Sequence, residues 1–483
     1  MDSPRSALVE KKVVRLKWVR TKTAMLVGGM VLLALSAVGE AFEVDFSREV
    51  GSVRRLNGVC NAPPIAYTQA GGIDKLIAEL EVPFYRFHDA ALGNPGYQLV
   101  DVSRIFPLFH LDADDPKNYN FGPTDDYLRF CVEQGAEIDF RLGESIEHAR
   151  KNYTAVPPPD CEKWAEICAH IVRHYNRGWA NGHRWNIRYW SVWEEPDNQE
   201  LFRGGKDAYE KEYLPLYAAT ARRLKQEFPE IKVGGPNCMG AGRNLERFVE
   251  YCAQEKLPLD FVFWTDYQRD PESYFSDAAK VRRLVDGKGY PQAEIGVSEW
   301  HFGPVSWSGH GCVNGRRHAV EWKRALTGLE SGVFTAAVLM RMQDSVIDKM
   351  AFYEMMSSTW GLVDADKLPL PSYWALKAFA ALARDGCRVE APSRPGTGWN
   401  LMATKDKDGK GHVLISALKT DGEPRLRIHG GMRPVSVKAL DAIRELESVD
   451  GWSWDTASKT FRIDRDCGES GLWLVDLEPE MSK

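Results

Sequence analysis

The chain has 483 residues, more than one ordinary core of about 100–200 residues holds, although an α/β barrel can run to about 250 residues or more as one unit. Hydrophobic residues make up 44% and charged residues 27%, which is ordinary for a soluble globular protein. A formal charge of −6 gives no general basic field and argues against nucleic acid as a partner.

The N-terminus departs from this average. Lys11, Lys12, Arg15, Lys17, Arg20 and Lys22 precede an uncharged run from Ala24 to Gly39. That is the layout of a signal peptide, with a basic region, an apolar region and small residues (Ala37 and Gly39, or Gly39 and Ala41) near a cleavage point. The run is about 16 residues, short of the roughly 20 that span a bilayer comfortably. Residues 1–41 are therefore expected to be a signal peptide, or else an uncleaved N-terminal anchor. Either way the remainder is exported, to periplasm, cell surface or medium, and an uncleaved segment would be its one membrane contact. The nine cysteines are sparse, odd in number and without a Cys-x-x-Cys pair, so most are expected to be small buried hydrophobes.

Residues 42–55 read as an extended edge strand. From about Leu56, short apolar runs alternate with amphipathic stretches, as in repeated βα units. The expected strands are Asn57–Cys60, Pro83–His88, Glu137–Leu142, Ile187–Trp193, Ile231–Gly235, Asp260–Trp264, Glu294–Glu299 and Thr335–Met340. Between them, Ile73, Leu76, Ile77 and Leu80 share one helical face, as do Trp164, Ile167, Cys168 and Ile171; Leu216 to Phe228 is a third helix. Eight such units over residues 56–388 predict a (β/α)8 barrel. A doubly wound sheet is the alternative, but no Gly-x-Gly-x-x-Gly follows a first strand. Beyond the Pro-, Gly-, Ser- and Thr-rich stretch 392–398, short strand-like runs separated by turn signals predict a β-sandwich over 389–483, completed by the 42–55 strand.

In such a barrel, chemistry sits where strands end. Two strand ends carry glutamates in aromatic company: Trp193-Glu194-Glu195-Pro196 on the fourth expected strand and Ser298-Glu299-Trp300 on the seventh. Glycosidic cleavage needs one carboxylic acid to protonate the leaving oxygen and one carboxylate to attack the anomeric carbon or activate water. Two glutamates in different surroundings can divide those roles.

The first motif resembles the Trp-Asn-Glu-Pro signature that ends strand four in the large clan of retaining barrel glycosidases, and the second resembles that clan's strand-seven nucleophile. Tyr85-Arg86-Phe87-His88, Tyr119-Asn120-Phe121 with Thr124-Asp125, Asp260-Phe261-Val262-Phe263-Trp264, Trp360-Gly361-Leu362-Val363 and Pro371-Ser372-Tyr373-Trp374-Ala375 narrow the resemblance to glycoside hydrolase family 39, home of β-xylosidases and α-L-iduronidases, or a close relative. The resemblance implies a retaining hydrolase acting on a poly- or oligosaccharide, with Glu195 as acid/base and Glu299 as nucleophile. It further implies that Arg86 hydrogen-bonds Glu299, that the Tyr267 hydroxyl can do likewise, and that His88 and Trp300 face the sugar. Two positions depart from the family pattern. Glu194 stands where an Asn binds the sugar 2-hydroxyl, and is expected to raise the proton affinity of Glu195. Thr265 stands where strand six carries a His.

No cofactor is expected. His110 with Asp112, Asp114 and Asp115 reads as a solvated turn, no zinc spacing or phosphate-cradling loop occurs, and a metal-free hydrolase is the simpler reading. His301, His310 and Cys312 could border the pocket, and the stretch Gly303–Gly315, with Trp307, is expected to help select the sugar. The competing class is a non-catalytic glycan-binding protein on a decayed barrel, and Glu194 and Thr265 keep it open.

Overall fold

The computed structural model describes residues 41–63, 72–88, 98–147, 150–303, 316–420, 422–464 and 470–480, with backbone alone for 316–318. The expected export segment 1–41 lies outside them except for Ala41, and so does the stretch 303–315 except for Gly303. Strand β1 (Phe42–Ser52) comes first. Eight parallel strands then close into a barrel: β2 (Gly58–Cys60), β3 (Phe84–Phe87), β4 (Glu137–Leu142), β5 (Tyr189–Val192), β6 (Lys232–Met239), β7 (Phe261–Gln268), β8 (Glu294–Phe302) and β9 (Lys349–Phe352), with β9 pairing back onto β2.

The last barrel strand is not the expected one. Thr335–Met340 lies inside a helix, Leu329–Arg341, and the strand is the shorter Lys349–Phe352. Every residue from Ser331 to Met340 is buried, because this helix lies between the barrel and the C-terminal sheet. A helix covered on all sides shows no amphipathic period, and its apolar run reads equally well as a buried strand.

The other helices follow their sequence signals. Cys161–Arg177 starts where the Asp160 carboxylate accepts the backbone N–H groups of Glu162 and Lys163, both at 3.0 Å, and stops at Gly178, whose φ of +77° is left-handed. It buries Trp164, Ile167, Cys168, Ile171 and Tyr175.

The C-terminal region is one ten-stranded sheet curled around a single apolar core. Its strands are β10 (Cys387–Glu390), β11 (Trp399–Lys405), β12 (Gly411–Ala417), β13 (Arg425–His429), β14 (Met432–Leu440), β15 (Glu445–Ser448), β16 (Trp452–Asp455), β17 (Thr460–Ile463) and β18 (Gly471–Pro479), plus β1. β1 is not an edge strand as expected. It lies between β10 and β13, and β15 and β16 form the edges. Val44 and Phe46 are buried in the sheet's core, which an edge position would not require. The 392–398 stretch joins β10 to β11 within the sheet.

Met402, Leu414, Leu472 and Leu474 share the barrel's core with the helices Leu329–Arg341 and Pro371–Asp385. At this seam His412 of β12 lies with Nδ1 2.7 Å from Asp385 Oδ2 and Nε2 3.3 Å from Asp476 Oδ1. Burial opposes its charge, but hydrogen bonds to the two carboxylates outweigh that and raise its pKa to about 9. Among the described residues seven cysteines are free thiols, five of them buried.

Candidate active site

The barrel interior changes character along its axis. At the lower end Phe84 stands edge-on to Tyr189 and Phe263, and Phe261, Cys60 and Ala351 complete the cluster. One residue pair further along the strands the inward positions become polar: Arg86 on β3, Asp139 on β4 and Ser191 on β5, all fully buried. The Ser191 hydroxyl lies 2.7 Å from both Asp139 oxygens. Burial raises the Asp139 pKa to about 6 against the opposing pull of Arg86 and that hydrogen bond.

Strand alternation decides what comes next. On β7, Phe261 and Phe263 point inward, so Thr265 and Tyr267 do as well, while Trp264 and Asp266 point out. On β8, Glu294 reaches the Tyr189 hydroxyl and Gly296 lies against Phe263, both inward. Strict alternation would then turn Ser298 inward and Glu299 out. The register shifts instead, pairing Trp264 with Val297 and Thr265 with Glu299, and the extra residue swings Glu299 into the barrel mouth. Trp300 consequently faces outward. It is fully buried and packs edge-on against Tyr274 and Phe352, so the expectation that it touches sugar is not met.

The end of β5 is aimed by backbone strain. Trp193 and Glu195 are non-glycine residues with φ of +69° and +35°. Such conformations cost on the order of 1–3 kcal/mol each and persist only where the surroundings fix them. Here the Trp193 indole N–H donates to Leu201 O at 2.8 Å, Asn237 Nδ2 donates to Trp193 O at 2.9 Å, and Glu195 N donates to Asn237 O at 3.1 Å. The turn brings Glu194 and Glu195 to the mouth from successive positions.

The two expected glutamates have unlike surroundings. Glu195 accepts a 2.8 Å hydrogen bond from the Thr265 hydroxyl on Oε1 and a 2.9 Å bond from Asn198 Nδ2 on Oε2. Burial raises its pKa, those two bonds pull it down, and the charge of Asp197 adds to the rise. Glu299 accepts the Tyr267 hydroxyl on Oε1, and its Oε2 lies 3.8 Å from Arg86 Nη1 and 3.5 Å from His88 Nε2. Burial, with help from Arg86 and Arg141, holds His88 well below the usual histidine range, so it is neutral at pH 7.

Arg86 and Glu194 differ from expectation. The shortest ion pair of Arg86 is with Glu194, both side chains being essentially buried, and Glu299 lies beyond hydrogen-bond reach of the guanidinium. Glu194 is thereby neutralised, and the acidic neighbour that raises the proton affinity of Glu195 is Asp197. His88, Glu194 and Glu299 bring three possible metal-ligand atoms within 4.8 Å of one another, but the Arg86 guanidinium already supplies the positive charge there. An aromatic wall borders the mouth: Trp360 stands edge-on to Tyr267 and His301, both at 5.4 Å, and Tyr353 lies 5.5 Å from His88. Burial depresses the His301 pKa to about 3.

Residues 77–284 match the family model described as glycosyl hydrolases family 39. The chain is 25% identical over 383 residues to a β-xylosidase of Geobacillus stearothermophilus, covering 72% of each sequence. A β-xylosidase of Caldicellulosiruptor saccharolyticus is 24% identical over 244 residues, 47% of this chain and 46% of that one. Over residues 77–284 the chain is therefore similar to glycoside hydrolase family 39. Solved structures carry the same fold. A glucosidase from Croceicoccus marinus aligns with a TM-score of 0.73 at 22% identity, covering 92% of this chain and all of the other. A monomeric β-xylosidase from Caulobacter crescentus aligns at 0.66 and 15%, covering 91% and all. The protein is a glycosidase.

Several residues that hold the site carry no clear mark in the sequence. Thr265 registers in the motif only as a departure, yet its hydroxyl holds Glu195. Asn198, three residues past Glu195, sits in a turn where an amide signals nothing by itself. Asn61 donates to Glu354 at 3.1 Å, joining the ends of the neighbouring strands β2 and β9, 293 residues apart in sequence. The 112–115 loop is a turn: Asp112 and Asp115 accept backbone N–H groups two residues on, at 3.0 Å.

Proposed function

We propose that this glycosidase works by retaining double displacement, with Glu299 as nucleophile and Glu195 as acid/base. The observation that carries this reading is the contrast between the two carboxyls. Glu195 is pushed toward its protonated form by burial, as a group that must donate a proton to the leaving oxygen requires. Glu299 has a hydroxyl donor on one oxygen and a guanidinium 3.8 Å from the other, a setting for a charged nucleophile. After the glycosyl–enzyme ester forms, Glu195, now ionised, takes a proton from the incoming water.

The names of the sequence relatives put β-xylosides first among candidate substrates, and the name of the Croceicoccus marinus structure puts glucosides next. His88, neutral and beside Glu299, and the Trp360 edge are the groups disposed to contact the sugar. The basic-then-apolar order of residues 11–39 supports action outside the cytoplasm.

Glu299→Gln should abolish turnover of aryl β-xylosides and β-glucosides with the fold intact. Glu195→Ala should lose about 10²–10⁴-fold with poor leaving groups, while with activated leaving groups azide should attack the glycosyl–enzyme and restore turnover, giving a glycosyl azide of retained configuration. NMR of the first-formed product decides the stereochemistry. An inverted anomer, or unchanged hydrolysis by Glu299→Gln, would overturn the assignment.

A further inference from the structure

Away from the active site, Asp125, His174 and His183 place three potential ligand atoms within 4.8 Å of one another. Asp125 is in the first turn of the helix Gly122–Glu133, and His174 is in the last turn of Cys161–Arg177. His183 follows on the loop that leads to β5. We propose that these residues form a binding site for one divalent transition-metal ion, zinc foremost, that ties the helix before β4 to the helix and loop after it.

The hydrogen-bonding arithmetic points to a cation. His174 Nδ1 lies 2.9 Å from Trp179 O, an acceptor, so that nitrogen carries the proton. Its Nε2 then faces a second acceptor, Asp125 Oδ1, at 3.0 Å. A neutral ring would set a lone pair against a carboxylate, so something positive belongs between them. His183 Nε2 lies 3.3 Å from the other oxygen, Asp125 Oδ2, but is not aligned as a hydrogen bond, and that buried nitrogen has no other hydrogen-bond partner among the described residues. A proton on His174 would satisfy Asp125 Oδ1 but would leave His183 Nε2 without an aligned partner. One metal ion satisfies all three ligands together.

The spacing also fits. Bonds of about 2.0–2.1 Å to nitrogen and oxygen put neighbouring ligands of a tetrahedral zinc about 3.3 Å apart; His174 Nε2 lies 3.0 Å from Asp125 Oδ1, His183 Nε2 lies 3.3 Å from Oδ2, and one atom from each residue falls within 4.8 Å of the other two. A backbone carbonyl on the far nitrogen of His174 is the usual partner of a metal-bound imidazole, fixing its tautomer. Both rings are clamped: His174 stacks on Phe121 at 3.5 Å and His183 on Trp185 at 3.8 Å, each within 10° of parallel. The chain between the histidines bends sharply, with left-handed φ at Gly178, Ala180 and Asn181. At Gly182 a Cβ would lie 2.6 Å from His174 Nδ1 and 2.2 Å from His174 O, so only glycine lets His183 fold back this closely.

Charge separates this cluster from a similar one. Asp114, Glu166 and His170 also converge, but Arg173 and Arg223 already occupy Glu166, and Arg173 lies 2.6 Å from His170. Among the described residues Asp125 has ion-pair contacts with His174 and His183 and with no lysine or arginine. With three protein ligands and His183 and Asp125 partly exposed, the fourth position falls to water. Donors of this kind suit zinc, cobalt or nickel over calcium or magnesium.

The test uses the full chain, stripped with a chelator and titrated with zinc and with cobalt. Wild type should bind one equivalent, show the visible absorption of tetrahedral cobalt, and melt at a higher temperature with zinc than without. His183→Gln, at the more exposed ligand, and Asp125→Asn should weaken zinc binding at least about 100-fold and remove the cobalt bands. Their metal-free melting and their turnover of aryl glycosides should match metal-free wild type. Sub-stoichiometric zinc on folded wild type, equal affinity in wild type and His183→Gln, or octahedral cobalt spectra would overturn the site. A variant that fails to fold leaves the wild-type stoichiometry and cobalt spectrum to decide.

Discussion

The histidine at the seam between barrel and sheet makes stability depend on alkaline pH in a calculable way. His412 has a pKa near 9 in the folded protein, against an ordinary value of 6.5, because the carboxylates of Asp385 and Asp476 outweigh its burial. A raised pKa means that the folded state holds the proton more tightly than the unfolded chain. The stabilisation is therefore fully present below about pH 6.5 and is lost as pH rises through about 9. Two to three units of pKa at about 1.4 kcal/mol each give roughly 3 kcal/mol. Three-quarters of the imidazole is covered, so solvent screening removes little of this. Urea unfolding of wild type and His412→Gln, followed by tryptophan fluorescence at pH 6 and pH 10, isolates the term, because every other titrating group cancels in the difference. Wild type should lose about 3 kcal/mol more than the variant between the two pH values. Equal losses would refute the charged bridge and leave His412 as packing alone.

Three further outcomes follow from the site and the sheet. Thr265→Val removes one of the two hydrogen bonds that lower the Glu195 pKa, so the alkaline limb of kcat/KM should move to higher pH; a limb that stays put or moves down would exclude Thr265 as a positioning residue. Glu194→Gln removes the nearest carboxylate from the buried Arg86 guanidinium, leaving Glu299 at 3.8 Å and the charge of Asp139, and should cost about 3–5 kcal/mol in urea unfolding; a loss below about 1 kcal/mol would show the pair to be dispensable. Residues 389–483 expressed alone lack β1, which leaves strand edges exposed at β13 and at what remains of β10, and should self-associate in sedimentation analysis; a stable monomer would count against β1 as an integral strand.

Seven of the eight barrel strands and both glutamates could be read from the chain, because alternation of apolar runs with amphipathic helices and two aromatic-flanked motifs are local signals. The eighth strand could not. Lys349–Phe352 is four residues long, and the fully buried helix before it imitates a strand. The resemblance implies that Trp300 meets the sugar, but neighbouring residues on a strand face opposite ways, and with Glu299 turned inward Trp300 packs outward against Tyr274 and Phe352. The bulge that turns Glu299 inward has no sequence mark of its own. Thr265 and Asn198 matter through contacts 70 residues and three residues away from Glu195, and a threonine or asparagine in isolation predicts neither. The partner of Arg86 depends on which of two nearby carboxylates the turn at Trp193 brings closer, and that is set by backbone torsion.

The position of β1 bears on how the molecule is made. Its hydrogen-bonding partners are β10 and β13, some 340 and 380 residues further along, so during synthesis the strand emerges well before either partner. Until those partners exist, Phe42, Val44 and Phe46 are an exposed hydrophobic stretch close to the apolar run 24–39. Contacts of such long separation form late and slowly, while barrel units can assemble from neighbours already present. The last step of folding is then the sealing of the C-terminal sheet around its N-terminal strand, which clasps the barrel between the two ends of the described chain. A chaperone or translocation factor that shields the first fifty residues would act on the interval when this protein is most prone to aggregate.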